Sequence, residues 1–155
     1  MKRIYSLRNS QGYFGSVDCN GNWVVPPIFN MLTQFDKGYA SARLNYDACI
    51  VDCHGNIEHL GEFEDIEPPC DGFAVFWTNN ACGILSLKTK QTVCTNYESI
   101  ENLGHGLFAV EDRNRWGIID FFGKTIIPTM LESYPDIYFR NKFIISKFMG
   151  CYVRM

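Results

Sequence analysis

Residues 116–128 read WGIIDFFGKTIIP. The stretch holds two short apolar segments rich in β-branched residues, which is typical of β-strands. Pro128 ends the second segment, because proline lacks the N–H that a strand ladder needs. Upstream, the equivalent turn contains Asn20-Gly21, a pair that accepts the positive φ angles of a type I′ turn. The pattern therefore predicts antiparallel hairpins.

The same stretch recurs along the chain in steps of 34 residues without gaps. One column holds only small residues, namely Gly15, Cys49, Gly83, Gly117 and Cys151. Another is apolar throughout, with Val17, Val51, Leu85, Ile119 and Val153. In a third column Ser86 replaces the aspartate that the other copies carry as Asp18, Asp52 and Asp120. A chain with such a period is a repeat protein. We count about four and a half copies, which begin near residues 13, 47, 81 and 115, with a partial copy at 149.

Each copy is expected to hold three strands and one further turn. A strand opens at each of the aligned glycines Gly38, Gly72 and Gly106, and the apolar residues before it are spaced by three, as in Phe29, Leu32 and Phe35. That spacing favours a helical or 3₁₀ turn. The small-residue column predicts a close approach of another backbone, which we assign to packing between copies. The expected fold is all-β: tandem repeats in a solenoid-like or propeller-like antiparallel array, with residues 1–155 as a single repeat domain.

These columns resemble the WG-containing repeat of bacterial proteins, whose pattern runs W-G-x-I-D-x-x-G-K-x-x-I-P, then Y-D-x-I and G-L-A-x-V. Residues 116–128 match the first part, and residues 97–100 and 106–110 match the rest. The tryptophan of the motif occurs once, at Trp116, and its equivalents are Phe14, Ala48, Cys82 and Gly150. The resemblance implies a β-rich array used as a binding or accessory module. It supplies no catalytic residues to transfer.

Composition excludes several classes of protein. The chain has 155 residues, 46% of them apolar, and can form a sizeable core. Its net charge of −3 gives no general attraction to nucleic acid. We see neither a secretory signal nor a membrane span, and expect a cytoplasmic protein. The seven cysteines are an odd number, which favours reduced thiols.

Cysteine or metal chemistry is the weakest of the functional alternatives. Cys49, Cys53 and His54 are spaced C-x-x-x-C-H, whereas zinc pairs usually follow C-x-x-C. The three histidines do not recur between copies, and Cys19, Cys49, Cys53 and Cys151 occupy columns of small or apolar residues. We therefore expect no catalytic residue, no metal ligand and no cofactor.

Charge is the feature that folding explains least. Between Leu44 and Leu87 there is no lysine or arginine, while the stretch holds eight acids. Such asymmetry creates a field that can steer a basic partner. Trp77 adds an aromatic residue in a column that holds Arg43 and Glu111, which suggests an exposed position. The predicted partner-binding residues are Glu58, Glu62, Glu64, Asp65, Glu67, Asp71 and Trp77.

Together these patterns predict a non-enzymatic protein–protein interaction module. One concrete version is an inhibitor or immunity-type protein that masks a basic surface. The alternative is a small-molecule or carbohydrate-binding module that uses exposed aromatic residues, and a thiol or zinc enzyme comes third. Neither nucleic acid nor membrane is an expected partner, and the sequence leaves the oligomeric state open.

Overall fold

The structure is a computed structural model that describes residues 4–61, 63–79, 81–135, 137–140, 143–146 and 152–154, with side chains up to Pro135. Within these ranges every regular element is a β-strand. No helix that could cross a membrane occurs in them. The chain folds into two compact units, Met1–Cys94 and Thr95–Met155.

The strands form five antiparallel sheets, each built from consecutive strands. The first sheet consists of β1 (Ile4–Arg8), β2 (Phe14–Asp18) and β3 (Trp23–Phe29). The second consists of β4 (Met31–Leu32), β5 (Tyr39–Leu44), β6 (Asp47–Asp52) and β7 (Ile57–His59). The third consists of β8 (Asp65–Ile66), β9 (Phe73–Trp77), β10 (Cys82–Ser86) and β11 (Thr92–Thr95).

Two further sheets follow along the chain. The fourth consists of β12 (Ser99–Gly104), β13 (Leu107–Asp112), β14 (Arg115–Asp120) and β15 (Thr125–Leu131). The fifth consists of β16 (Ile137–Arg140), β17 (Phe143–Ser146) and β18 (Tyr152–Arg154). The aligned columns of the sequence fall on the same strand of successive sheets, since the small-residue positions lie on β2, β6, β10 and β14. The all-β, antiparallel repeat fold that the sequence predicts is confirmed.

The first unit is held together by apolar faces of neighbouring sheets. Val25 and Phe29 of the first sheet pack in one buried cluster with Ala40, Ala42 and Val51 of the second. The opposite face of the second sheet packs on the third in another cluster that contains Ala48, Ile50, Ala74, Phe76 and Leu85. Burial of both faces of a sheet explains why its strands read as nearly continuous apolar runs.

The second unit has a core of its own. Leu107 and Ile118 are buried there, and Leu103, Ile126 and Ile127 pack against them. The ring of Trp116 meets the ring of Tyr134 edge-on, with centroids 5.0 Å apart. The tryptophan of the motif thus anchors the segment that follows β15.

Helical turns at residues 29–35 were a wrong prediction. Phe29 ends β3, and Met31–Leu32 already form β4, which pairs with β5. Phe29 therefore belongs to the first sheet and Leu32 to the second, so their spacing reflects a crossing between two sheets. The second, third and fourth sheets consequently hold four strands each, where the sequence predicts three.

An aspartate side chain closes three of the hairpins, those between β2 and β3, β6 and β7, and β14 and β15. The Asp18 carboxylate accepts hydrogen bonds from the backbone N–H groups of Asn20 and Asn22, at 2.9 and 3.0 Å. Asp52 and Asp120 repeat the arrangement with the residues two and four positions later. Gly21 has φ +82° but Asn20 has no positive φ. The turn is therefore an aspartate-held turn, and the predicted type I′ geometry at Asn20-Gly21 is wrong.

The small-residue column has a different cause from the one expected. A Cβ at Gly15 would lie 2.5 Å from the Val25 carbonyl oxygen, and a Cβ at Gly117 would lie 2.7 Å from that of Ile127. Both contacts lie within one sheet, where the register shifts between the glycine strand and the outer strand. At Cys49 the ladder is regular, and a side chain fits. The glycines thus make room for a bulge in the outer strand, and not for a neighbouring copy.

Gly117→Ala should therefore destabilise the protein by about 2–4 kcal/mol, because the backbone of β15 must shift to admit the methyl group. Chemical denaturation measures this change. Gly61→Ala is the matched control: Gly61 lies in open space at an ordinary φ, and its substitution should cost less than about 0.5 kcal/mol. Equal midpoints for the two variants would show that the bulge imposes no such constraint.

Asp52 should contribute to stability in a pH-dependent way. Burial alone would raise the pKa of Asp52, but hydrogen bonds from Asn56 and His54 outweigh it and hold the pKa below its usual value near 3.8. A depressed folded-state pKa stabilises the protein above the unfolded value and stops doing so as pH falls through the folded one. Asp52→Ala should cost about 1–2 kcal/mol at pH 7, and the gap to the wild type should narrow below pH 3.8. Urea denaturation across pH tests this, and an unchanged gap at low pH would contradict it.

Candidate binding surface

The acidic segment, which we define as residues 58–71, runs from the second sheet into the third. Glu58 lies on β7 and Asp65 on β8, while the remaining described acids occupy the connections around them. Glu58, Glu64 and Asp65 are exposed, and Glu67 and Asp71 are half-buried. Glu62, which the sequence also assigns to this site, lies outside the described residues. The structure thus places the described acids on one continuous stretch of surface chain.

Two apolar side chains fix this segment in place. The Phe63 ring stacks on the Phe76 ring with centroids 4.0 Å apart, and Ile66 is buried. The Ser41 hydroxyl donates a hydrogen bond to the Glu67 carbonyl oxygen at 2.5 Å. The acids are therefore carried on a backbone that is anchored to both neighbouring sheets.

Three of the acids have basic partners from outside the acidic stretch. Glu58 pairs with Lys90, Asp65 with Arg43, and Asp71 with Lys37. The hydrogen bond that Lys37 donates to Asp71 raises the pKa of Lys37. Sequence reasoning missed these cations because Lys37, Arg43 and Lys90 lie just beyond Leu44–Leu87. The local field is consequently weaker than a count along the chain indicates.

Glu64, Asp65 and Trp77 meet at the edge of the third sheet. β8 is an edge strand that pairs only with β9, and Asp65 lies opposite Trp77 across that pair. The Glu64 N–H donates to the Trp77 carbonyl oxygen at 2.8 Å. Arg43 reaches the same place through its bonds to the Asp65 carboxylate and the Glu64 carbonyl oxygen. Trp77 is half-buried here, so it presents only part of its ring to solvent.

A cysteine, a histidine and an aspartate also come together on the second sheet. Cys49 Sγ lies 3.6 Å from His59 Nδ1, and the same nitrogen lies 3.7 Å from the Asp47 carboxylate. Both neighbours approach one ring nitrogen, whereas a relay needs one on each side. Burial raises the pKa of the Cys49 thiol, which disfavours the nucleophilic thiolate. Nowhere in the described ranges do three potential metal ligands of the His, Cys, Asp and Glu types converge.

One apolar surface escaped the sequence analysis. Tyr5 and Leu7 on β1 and Trp23 on β3 are between 45% and 49% exposed. Register places Tyr5 beside Val17 and Val17 beside Trp23, so their side chains share one face of the first sheet. The alternation of Tyr5 and Leu7 along β1 was the available signal.

Comparison with solved structures shows a likeness of fold. A eukaryotic initiation factor structure matches with a TM-score of 0.57 at 13% identity, over 98% of this chain and 48% of that one. Two structures of Kluyveromyces lactis Hsv2 give TM-scores of 0.42 and 0.41 at 13% identity, each over 73% of this chain and 40% of the other. The chain thus spans about half the length of the first of these structures. These neighbours are β-propeller-like.

Sequence comparison supports the same repeat architecture. No curated protein matches this sequence. The family described as WG containing repeat matches residues 14–46, which run from β2 through β5. The match includes the glycine under the bulge and the aspartate that closes the hairpin, the two positions whose roles the structure explains. Residues 14–46 of this all-β chain are thus similar to the WG-containing repeat.

Proposed function

We propose that this protein is a non-enzymatic, cytoplasmic protein–protein interaction module that binds a partner with a basic surface. The observation that carries the proposal is the anchored acidic edge of the third sheet, where Glu64 and Asp65 stand beside Trp77. Folding does not require exposed carboxylates at this edge. A rigid acidic surface beside a half-buried aromatic residue suits a protein partner, because it needs little ordering on binding.

Glu64 is the acid best placed to act on a partner. It is exposed, and its carboxylate makes no bond or ion pair within the described part of the chain. The neighbouring Asp65 is braced by Arg43 and holds the edge in position. Long-range attraction of this kind accelerates encounter more than it deepens affinity. An inhibitor or immunity-type protein that covers the basic surface of a bacterial toxin would use such an edge.

A structural explanation competes with this proposal. Charged residues on an edge strand also prevent unwanted pairing with strands of other molecules. That explanation requires no partner and predicts that loss of the charge causes aggregation. The two explanations therefore differ in what a charge-reversal variant does.

The test uses Glu64→Lys against Glu98→Lys. Glu98 occupies the same column of the next copy, is likewise exposed, and makes the same backbone hydrogen bond to the strand beside it. The partner is captured from native cells and identified by mass spectrometry. We expect Glu64→Lys to slow association several-fold at low salt and to flatten its salt dependence, while Glu98→Lys leaves both unchanged.

Equal association rates for the two variants would overturn the assignment of this edge. Aggregation of Glu64→Lys at an unchanged association rate would favour the structural explanation.

The exposed aromatic face of the first sheet supports a second candidate, a carbohydrate-binding module. Tyr5 and Trp23 are the residues that favour it, since aromatic rings at the surface stack on the apolar faces of sugars. Titration with oligosaccharides should then quench tryptophan fluorescence, and Trp23→Ala should abolish the change. Quenching that survives in Trp23→Ala would rule out this face.

A further inference from the structure

The third copy lacks the aspartate that closes the equivalent hairpin in the other copies. Ser86 replaces the aspartate, Thr89 replaces the glycine that the other copies have three residues later, and a lysine enters at position 88. The turn is one residue longer, since the Ser86 N–H bonds to the Gln91 carbonyl whereas the Asp52 N–H bonds to that of Asn56. Lys90 takes a left-handed φ of 62° without being glycine. A turn that elsewhere carries a carboxylate is basic here.

A cleft lies at this irregular turn. It has a volume of about 470 Å³, within the range of small-molecule sites. Ser86, Lys88 and Thr89 form one side of it. Tyr39, Asp71 and Phe73 contribute to the remainder, from the second and third sheets. The cavity thus lies where the sequence departs from the repeat.

Hydrogen bonds between neighbouring turns hold the cleft walls in place. The Gly72 N–H donates to the Asp36 carboxylate at 3.0 Å, and the Leu87 N–H donates to the Gly72 carbonyl oxygen at 3.0 Å. Lys37 pairs with Asp71 across the same gap. The site is therefore largely formed before any ligand arrives, which lowers the entropic cost of binding.

The cleft combines apolar rings with a cation. The rings of Tyr39 and Phe73 are half-buried and offer flat apolar surface. Lys37 is engaged by Asp71, whereas Lys88 is exposed and makes no ion pair within the described residues. The Ser86 hydroxyl adds a hydrogen-bond donor beside it, while the Thr89 hydroxyl donates to the Gln91 side-chain oxygen. We infer that this cleft binds a small ligand that carries an anionic group, such as a phosphate or a carboxylate, on a flat apolar body.

Phenyl phosphate is the probe ligand. Inorganic phosphate and phenol, which carry its anionic and its aromatic half, are the comparison ligands. Amide resonances of the full chain are followed by two-dimensional NMR during titration. We expect saturable shifts at Gly72, Phe73 and Thr89 with phenyl phosphate, and at least tenfold weaker binding of either half. Phenol that binds as tightly as phenyl phosphate would overturn the role of the anionic group.

Two variants assign the site. Lys88→Ala should weaken phenyl phosphate at least about tenfold, because it removes the unpaired cation. Lys124→Ala is the matched control, an exposed lysine directly after the regular turn at Gly123, and should bind as the wild type does. Ser86→Asp restores the carboxylate found in the other turns and should abolish binding through repulsion. Absence of saturable shifts, or unchanged affinity in Lys88→Ala, would refute the inference.

Discussion

The hydrogen bonds from turn N–H groups to an aspartate carboxylate are the interaction that sets the repeat hairpin in three of the sheets. At Asp18, Asp52 and Asp120 one side chain satisfies two backbone donors and fixes where the strand reverses. Because the reversal point sets strand register, it also decides which face each side chain takes. The pairings of Val51 with Ile57 and of Ile50 with Glu58 follow from the reversal at Asp52. Local polar chemistry thus sets the register of these hairpins.

Strand identity and inward-facing residues could be predicted, because they depend on short-range patterns. The buried positions of Val51 and Ile119 needed only the 34-residue period and the apolar character of their column. The predictions that were wrong concern features that depend on contacts between strands. The crossing at Phe29 and Leu32 imitates a helical spacing, and the bulge over Gly117 becomes visible only when β15 lies beside β14.

At the candidate surface, too, the sequence predicts only part of what the structure shows. The run of acids is plain in the sequence, yet its cations come from Lys37, Arg43 and Lys90, which approach only when neighbouring sheets pack. Charge counted along a chain therefore overstates charge at a surface when the flanking segments return to it. The column position of Ser86, by contrast, already marked a departure from the repeat before any cavity was known.

The bulged outer strands affect whether sheets of different molecules can associate edge to edge. β3 and β15 lie at open edges of their sheets, where free N–H and C=O groups can recruit strands from other molecules. Pro26, Pro27 and Pro128 remove donors from those edges, and the bulge over Gly15 and Gly117 twists the strands out of line. The glycine and the proline of the repeat thus act together to protect these sheet edges from pairing with strands of other molecules.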